Sequence, residues 1–347
     1  MSKKIFFLTV LTFGLAFGIF AFFYFQKIFF WDNTNFDERS IAIYINRTDS
    51  FSNVISKLRP DLKNADHFIL AANKKGYSER VKSGKFIIEK GSGNNEIINT
   101  LRSKSLTVKV TFNNQDIIGS LAKRISDQIE PDSIQLISSF FDSSFLKEND
   151  LNKEDLISMF IPNSYDLYWN STADEFRDRM LKESKEFWNQ SRLEKSKKLK
   201  LTPKKVIILA SIVDKETNNK DELSKIAGVY VNRLLKNMKL QADPTVVYSI
   251  KKVTGNYDTL IRRLYYKDLK LNSPYNTYLF KGLPPGPIGM PDISSIDAVL
   301  NYIDHDYLFF VADPYSNGGH NFSKTLREHN SKKKIYTNWL RKNKIYR

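Results

Sequence analysis

The stretch ILASIVDKETNN, Ile208 to Asn219, sets two carboxylates, Asp214 and Glu216, two residues apart at the end of an apolar run. A single carboxyl with a raised pKa can protonate a leaving oxygen, whereas two on opposite sides of a bond can share acid and base work. Geometry separates these cases. Thr202 and Pro203 supply an N-cap and a first-turn proline, which predicts a helix from there to Asn218 or Asn219. At about 100° per residue, Glu216 lies over Leu209, Ile212 and Val213, while Asp214 falls nearly opposite with Ala210 and Ile207. The two carboxylates therefore do not form a dyad. Glu216, at the end of the apolar stripe, is the better candidate for a partly desolvated acid, and a helix-end ion pair with lysine is its plainer alternative.

Downstream, DELSKIAGVYVNRLLKN reads as a helix with Leu223, Ile226, Ala227, Tyr230 and Leu234 on one face. Three later segments, LQADPTVVYS, SPYNTYLFKGLPPGPIG and YLFFVADPYSNGGHNF, are rich in Pro, Gly, Asn and Tyr and read as loops that build a site on a scaffold. Asp243 is a second carboxylate or, with Gln241 and Pro244 beside it, a helix N-cap. His320 and His329 have no further ligand types at matched spacing, so no metal is expected.

The elements that must position these residues follow from the rest of the chain. Its 347 residues are 41% hydrophobic, enough for two or three domains, and contain no cysteine. A net charge of +16 favours an anionic partner. Without a zinc-finger spacing, a phosphate-binding glycine loop or another nucleic-acid motif, nucleic acid is not that partner. IFFLTVLTFGLAFGIFAFFYF, Ile5 to Phe25, is uncharged and reaches the length of a spanning helix. Lys3 and Lys4 before it and only Lys27 close behind predict a cytoplasmic N-terminus and an extracytoplasmic remainder. Residues 36–109 read as a small α/β module: a strand at Ile41 to Ile45, a helix in FSNVISKL, then strand, glycine turn and a helix starting near Asn94 with Ile97, Ile98 and Leu101 inward. LTVKVTF opens a second region as a strand, followed by helices up to about Ile129, at Ile134 to Phe141 and at Ala173 to Leu199. MFIPNSYDLYW reads as an aromatic loop broken by Pro162 and Asn163.

Taken in order after the membrane helix, ASIVDKET, VNRL, LQADPTVVY, YNTY, GLPPGPI, YLFFVAD and GGHNFSKTLREHN resemble the YceG-like family of endolytic murein transglycosylases. The resemblance implies an α+β chain: a single transmembrane helix within 1–30, a small LysM-like α/β module at 36–107 and a larger mixed α/β catalytic domain at 108–347. It implies a lytic transglycosylase in the cell membrane, cutting the bond between N-acetylmuramic acid and N-acetylglucosamine in peptidoglycan glycan strands to leave 1,6-anhydro ends. No cofactor or metal is implied, and peptidoglycan synthases are candidate partners. Glu216 matches the family's catalytic acid, while Asp214 shortens the glutamate of the usual SIVEKE. Gln241, Asp243, Thr245, Tyr248, Tyr275, Asn276, Tyr278 and His320 are the candidate substrate contacts. Ile157 and Ser158 before MFIPNSY, and GMPD at Gly289 to Asp292, depart from the family pattern. A hydrolase pairing Glu216 with Asp243 and a non-catalytic peptidoglycan-binding scaffold are the rival readings.

Overall fold

A computed structural model describes residues 3–261, 263–316 and 318–343. The chain divides into two compact units, one of Met1–Val110, Gln128–Pro131 and Tyr165–Thr172, the other of Thr111–Asp127, Asp132–Ser164 and Ala173–Arg347. The mixed α/β content agrees with the sequence reading.

The first unit begins with α1 (Lys3–Phe29), of which Lys4–Phe29 is long and apolar enough to cross a membrane. There follow β1 (Ser40–Ile45), α2 (Phe51–Leu58), α3 (Ala65–Lys74), β2 (Gly84–Glu89) and α4 (Asn94–Arg102). β1 and β2 pair antiparallel, from Ser40 with Glu89 to Ile45 with Gly84. Period-two alternation turns Ile43, Ile45, Phe86 and Ile88 inward, where they meet Val54 and Leu58 of α2, Phe68 of α3, and Ile97, Ile98 and Leu101 of α4. β3 (Thr107–Phe112) and β4 (Asn163–Tyr168) form a second strand pair, and the division between the units falls within both strands. The segment read as an aromatic loop is thus largely ordered. Leu156–Met159 is a 3₁₀ turn, and along β4 Tyr165 and Leu167 point inward while Ser164 and Asp166 stay exposed. Of its aromatics, Phe160 and Tyr165 are core, whereas Tyr168 falls on the exposed face of the strand, which buries alternate residues.

The second unit contains α5 (Ile118–Ser126), α6 (Ser133–Phe140), α7 (Ser143–Glu148), α8 (Ala173–Phe187), α9 (Gln190–Lys198), α10 (Pro203–Glu216), α11 (Leu223–Leu235), α12 (Asp243–Thr254), α13 (Ile293–Leu300) and α14 (Leu326–Lys342), with a hairpin of β5 (Phe309–Ala312) and β6 (His320–Ser323). The expected single helix over 173–199 is broken, because the Asn189 side chain accepts from Arg192 N and starts α9 afresh. Two of the segments read as loops also prove regular. DPTVVYS opens α12 with Pro244 in its first turn, and the 307–322 segment carries the hairpin.

α10 is the central element. Thr202 caps it and Pro203 opens it as expected, but it stops at Glu216. Every residue from Val206 to Val213 is buried, so the helix has no solvent face in its middle and the narrow stripe drawn from periodicity is only one part of an all-round apolar surface. Its buried Ser211 is satisfied, donating to Ile208 O at 2.8 Å and accepting Ile288 N at 3.0 Å, which fixes the proline-rich 284–288 loop against the helix.

Candidate active site

The last turn of α10 sends its polar side chains in different directions. Asp214 Oδ1 accepts Asp292 N at 3.1 Å and Ser295 Oγ at 2.7 Å, and its Oδ2 accepts Asn114 Nδ2 at 3.1 Å. An anion at the start of α13 meets that helix's unpaired N–H groups and positive dipole end. Lys215 reaches Asp116 at 2.8 Å. Glu216 points elsewhere, accepting the Tyr230 hydroxyl from α11 on Oε1.

Glu216 walls three hollows of about 620, 450 and 340 Å³. The first is bordered by Asn218, Asn219, Asp313, Gly319 and His320, the second by Asp116, Lys215, Asp243, Tyr248 and Lys251, and the third by Tyr230, Arg233, Gln241, Asp243, Tyr278 and Lys333. The residue as a whole is half-buried because its side chain borders these spaces, yet protein crowds the carboxyl itself. Burial strips water from the charged form and pushes the pKa up to about 7; the Tyr230 hydrogen bond opposes this, the Asp243 charge adds to it and Arg233 offsets it. A carboxyl so placed holds its proton near neutrality and can release it to a substrate oxygen.

Tyr230 and Arg233 are three residues apart on α11 and so share a face. Arg233 is 7% exposed, its charge spread over Leu308 O at 2.6 Å, Leu240 O at 2.8 Å and Lys239 O at 3.2 Å. Neither residue was singled out as a site group from the sequence. Tyr230 was read as part of an apolar face, and an arginine buried by carbonyls carries no periodic signal; the i, i+3 pairing of a tyrosine and an arginine was the available clue.

Of the sequence candidates, Glu216, Gln241, Asp243 and Tyr278 come together in one hollow, Tyr248 borders the second and His320 the first. Tyr278 donates to Asp243 Oδ1 at 2.6 Å, and burial holds its phenol well above the ordinary range. Gln241 has φ 52°, a left-handed conformation costly for a side chain, and its amide oxygen accepts Arg233 Nη1 at 3.4 Å. His320 pairs with Glu222 at 2.8 Å through Nδ1 and at 3.0 Å through its backbone N–H, which fastens the hairpin beside Glu216. Three candidates stand behind the surface. Thr245 is fully buried, linked to Ala242 O at 2.7 Å and Thr277 Oγ1 at 2.9 Å. Asn276, also fully buried, donates to Leu271 O at 2.8 Å and Leu269 O at 3.1 Å. Tyr275 is 1% exposed, its ring 4.8 Å from that of Tyr248. These three stand behind the three hollows at Glu216 without lining any of them.

A family model described as YceG-like matches residues 43–335, which is most of the chain. The chain belongs to the YceG-like family. It is 33% identical over 274 residues to the endolytic murein transglycosylase of Bacillus subtilis, a match covering 74% of this chain and 73% of that one. It is 32% identical over 183 residues to the endolytic murein transglycosylase of Streptococcus pneumoniae, covering 49% of this chain and 32% of the larger relative. The crystal structure of a YceG-like protein from Listeria monocytogenes superposes with a TM-score of 0.56 at 26% identity, covering 85% of this chain and 99% of the other.

Proposed function

We propose that this YceG-like protein is a membrane-anchored lytic transglycosylase with Glu216 as its single acid and base. The observation that carries the reading is one carboxyl, poised near neutrality, at the meeting point of three hollows. Because Tyr230 occupies Oε1, Oε2 is the oxygen that carries the proton. That proton passes to the glycosidic oxygen between N-acetylmuramic acid and N-acetylglucosamine as the bond to C1 breaks. The substrate's acetamido group steadies the cation, so no second carboxylate is required. Glu216, now ionised and held by Tyr230, takes the C6 hydroxyl proton, and O6 closes on C1 to give the 1,6-anhydro end. The proton lost in the first half is regained in the second, and water is not consumed. Gln241, Asp243, Tyr248, Tyr278 and His320 are the proposed glycan contacts, with Thr245, Tyr275 and Asn276 as their support.

In the same reading α1 is the single membrane span, with its N-terminal side cytoplasmic and residues after about 30 extracytoplasmic; Lys3 and Lys4 ahead of the apolar run support this orientation. Residues 36–107 are assigned as a LysM-like module, supported by the order β1, α2, α3, β2 and an antiparallel strand pair, and 108–347 as the catalytic domain. Peptidoglycan synthases are the proposed neighbours.

The deciding experiment digests purified peptidoglycan with the full chain in detergent, beside its Glu216→Gln variant, and reads product masses. Anhydro-ended products from the wild type alone are expected. Products heavier by one water would replace this reading with a hydrolase, and activity surviving in Glu216→Gln would remove Glu216 from the chemistry.

A further inference from the structure

α1 and the module after it are joined by contacts that a simple tether does not need. Ile28 is 7% exposed and belongs to the module's core. Asn94 Nδ2 donates to Ile28 O at 2.7 Å, satisfying a carbonyl that the end of a helix leaves open. Asn94 Oδ1 accepts Asn33 Nδ2 at 2.7 Å, and Asn33 Oδ1 accepts Asn64 N at 2.8 Å, which extends the network to the N-cap of α3. A Cβ on Gly93 would stand 2.7 Å from the Phe30 carbonyl oxygen, so α4 starts in direct contact with the end of α1. The Tyr24 ring meets His67 of α3 edge-on at 6.4 Å.

These contacts fix a depth. A helix rise of about 34 Å separates Lys4 from Lys27, slightly more than the ~30 Å hydrocarbon layer. Exposed Lys27 therefore lies among the headgroups when the apolar run spans the membrane. The very next residue, Ile28, is already inside the module. Phe30 and Trp31, 51% and 54% exposed, are of the aromatic class that settles at that level.

We propose that the module is seated in the phospholipid headgroup layer, its lipid contact formed by the last turn of α1, Phe30, Trp31 and the side of α3 bearing His67 and Leu70. Leu70, 46% exposed, lies one turn along α3 from His67, and Lys74 a turn further supplies a cation for lipid phosphate. Anchor and module then move as one body at the membrane surface. This rests on α1 spanning the membrane.

The chain has no cysteine, so single-cysteine variants carry a fluorophore at one place only. Phe17→Cys, Trp31→Cys and Leu70→Cys, each in the full chain, are labelled with an environment-sensitive dye and reconstituted into phosphatidylcholine–phosphatidylglycerol vesicles. Phe17, 72% exposed within the apolar run, reports the anchor itself. Expected are quenching of Phe17 by acyl-chain spin labels, and blue-shifted emission at Trp31 and Leu70 quenched more by headgroup spin labels than by aqueous iodide. Deep quenching at Phe17 with free-dye emission at both other sites would leave the anchor standing and overturn the seating. Water-like behaviour at Leu70 alone would remove the α3 contact, and at Phe17 would remove the anchor and the seating together.

Discussion

Glu216 links chemistry, stability and pH through one proton. Its carboxyl titrates at about 7 in the folded chain against 4.5 in a solvated one. The raised value means that folding favours the protonated form: the contribution to stability is whole below 4.5 and is lost as pH rises to 7. At pH 8 the Glu216→Gln variant is therefore expected to be more stable than wild type, by on the order of 2 kcal/mol once the site's contact with water is allowed for. At pH 4 the difference vanishes. Chemical unfolding at both pH values measures it, and a gap independent of pH would contradict a desolvated acid. Activity follows the same proton, with kcat/KM expected to fall as pH rises through about 7, where the acid is lost. Tyr230→Phe removes the donor that favours the carboxylate and is expected to move that alkaline limb upward by about one unit, seen in a pH–rate profile. An unmoved limb would mean that Tyr230 does not act on Glu216.

At the scale of elements, the site depends on how α10 is held. Asp214 ties the helix to the start of α13 and to the segment after β3 through three accepted hydrogen bonds. Asp214→Ala should cost about 1–3 kcal/mol, since three partly buried donors lose their partner. Anhydro products should still form at temperatures where the variant is folded; their complete loss there would give Asp214 a chemical role. α11 makes a different demand. A Cβ on Gly228 would lie 2.5 Å from Ile303 O and 2.7 Å from His305 Nε2, so Gly228→Ala must push α11 off its neighbour. Overpacking of that kind costs about 1–3 kcal/mol, and it would shift Tyr230, two residues on, relative to Glu216. Thermal unfolding together with the pH–rate profile separates the two effects; an unchanged melting temperature would show that the segment yields freely.

At the scale of the molecule, +16 charges and an apolar helix point the chain toward an anionic, membrane-adjacent substrate. Binding to intact peptidoglycan is expected to weaken as salt rises, because exposed charges are screened once the Debye length falls to about 8 Å near physiological ionic strength. Sedimentation of the Glu216→Gln variant with sacculi at low and high salt measures this, and salt-independent retention would place recognition in apolar and hydrogen-bonded contacts instead.

The sequence by itself determined what is local. Thr202 and Pro203 start α10 because capping and proline geometry involve only neighbouring residues, and Ile5 to Phe25 specify a membrane-length helix by composition alone. Periodicity also separated Glu216 from Asp214, since both ride on one helix. The tertiary structure decided what depends on residues distant in sequence. MFIPNSYDLYW reads as an aromatic loop until β4 gains a partner strand, and DPTVVYS and YLFFVAD read as irregular because glycine and proline around them mask a short helix and a hairpin. Thr245, Tyr275 and Asn276 share residue types with glycan-binding groups, yet burial turns them into wall, which no local pattern reveals. The raised pKa of Glu216 is of the same kind. It arises from protein packed around a carboxyl, against the opposing hydrogen bond of Tyr230 fourteen residues away, and desolvation is a property of the enclosure that the folded chain makes.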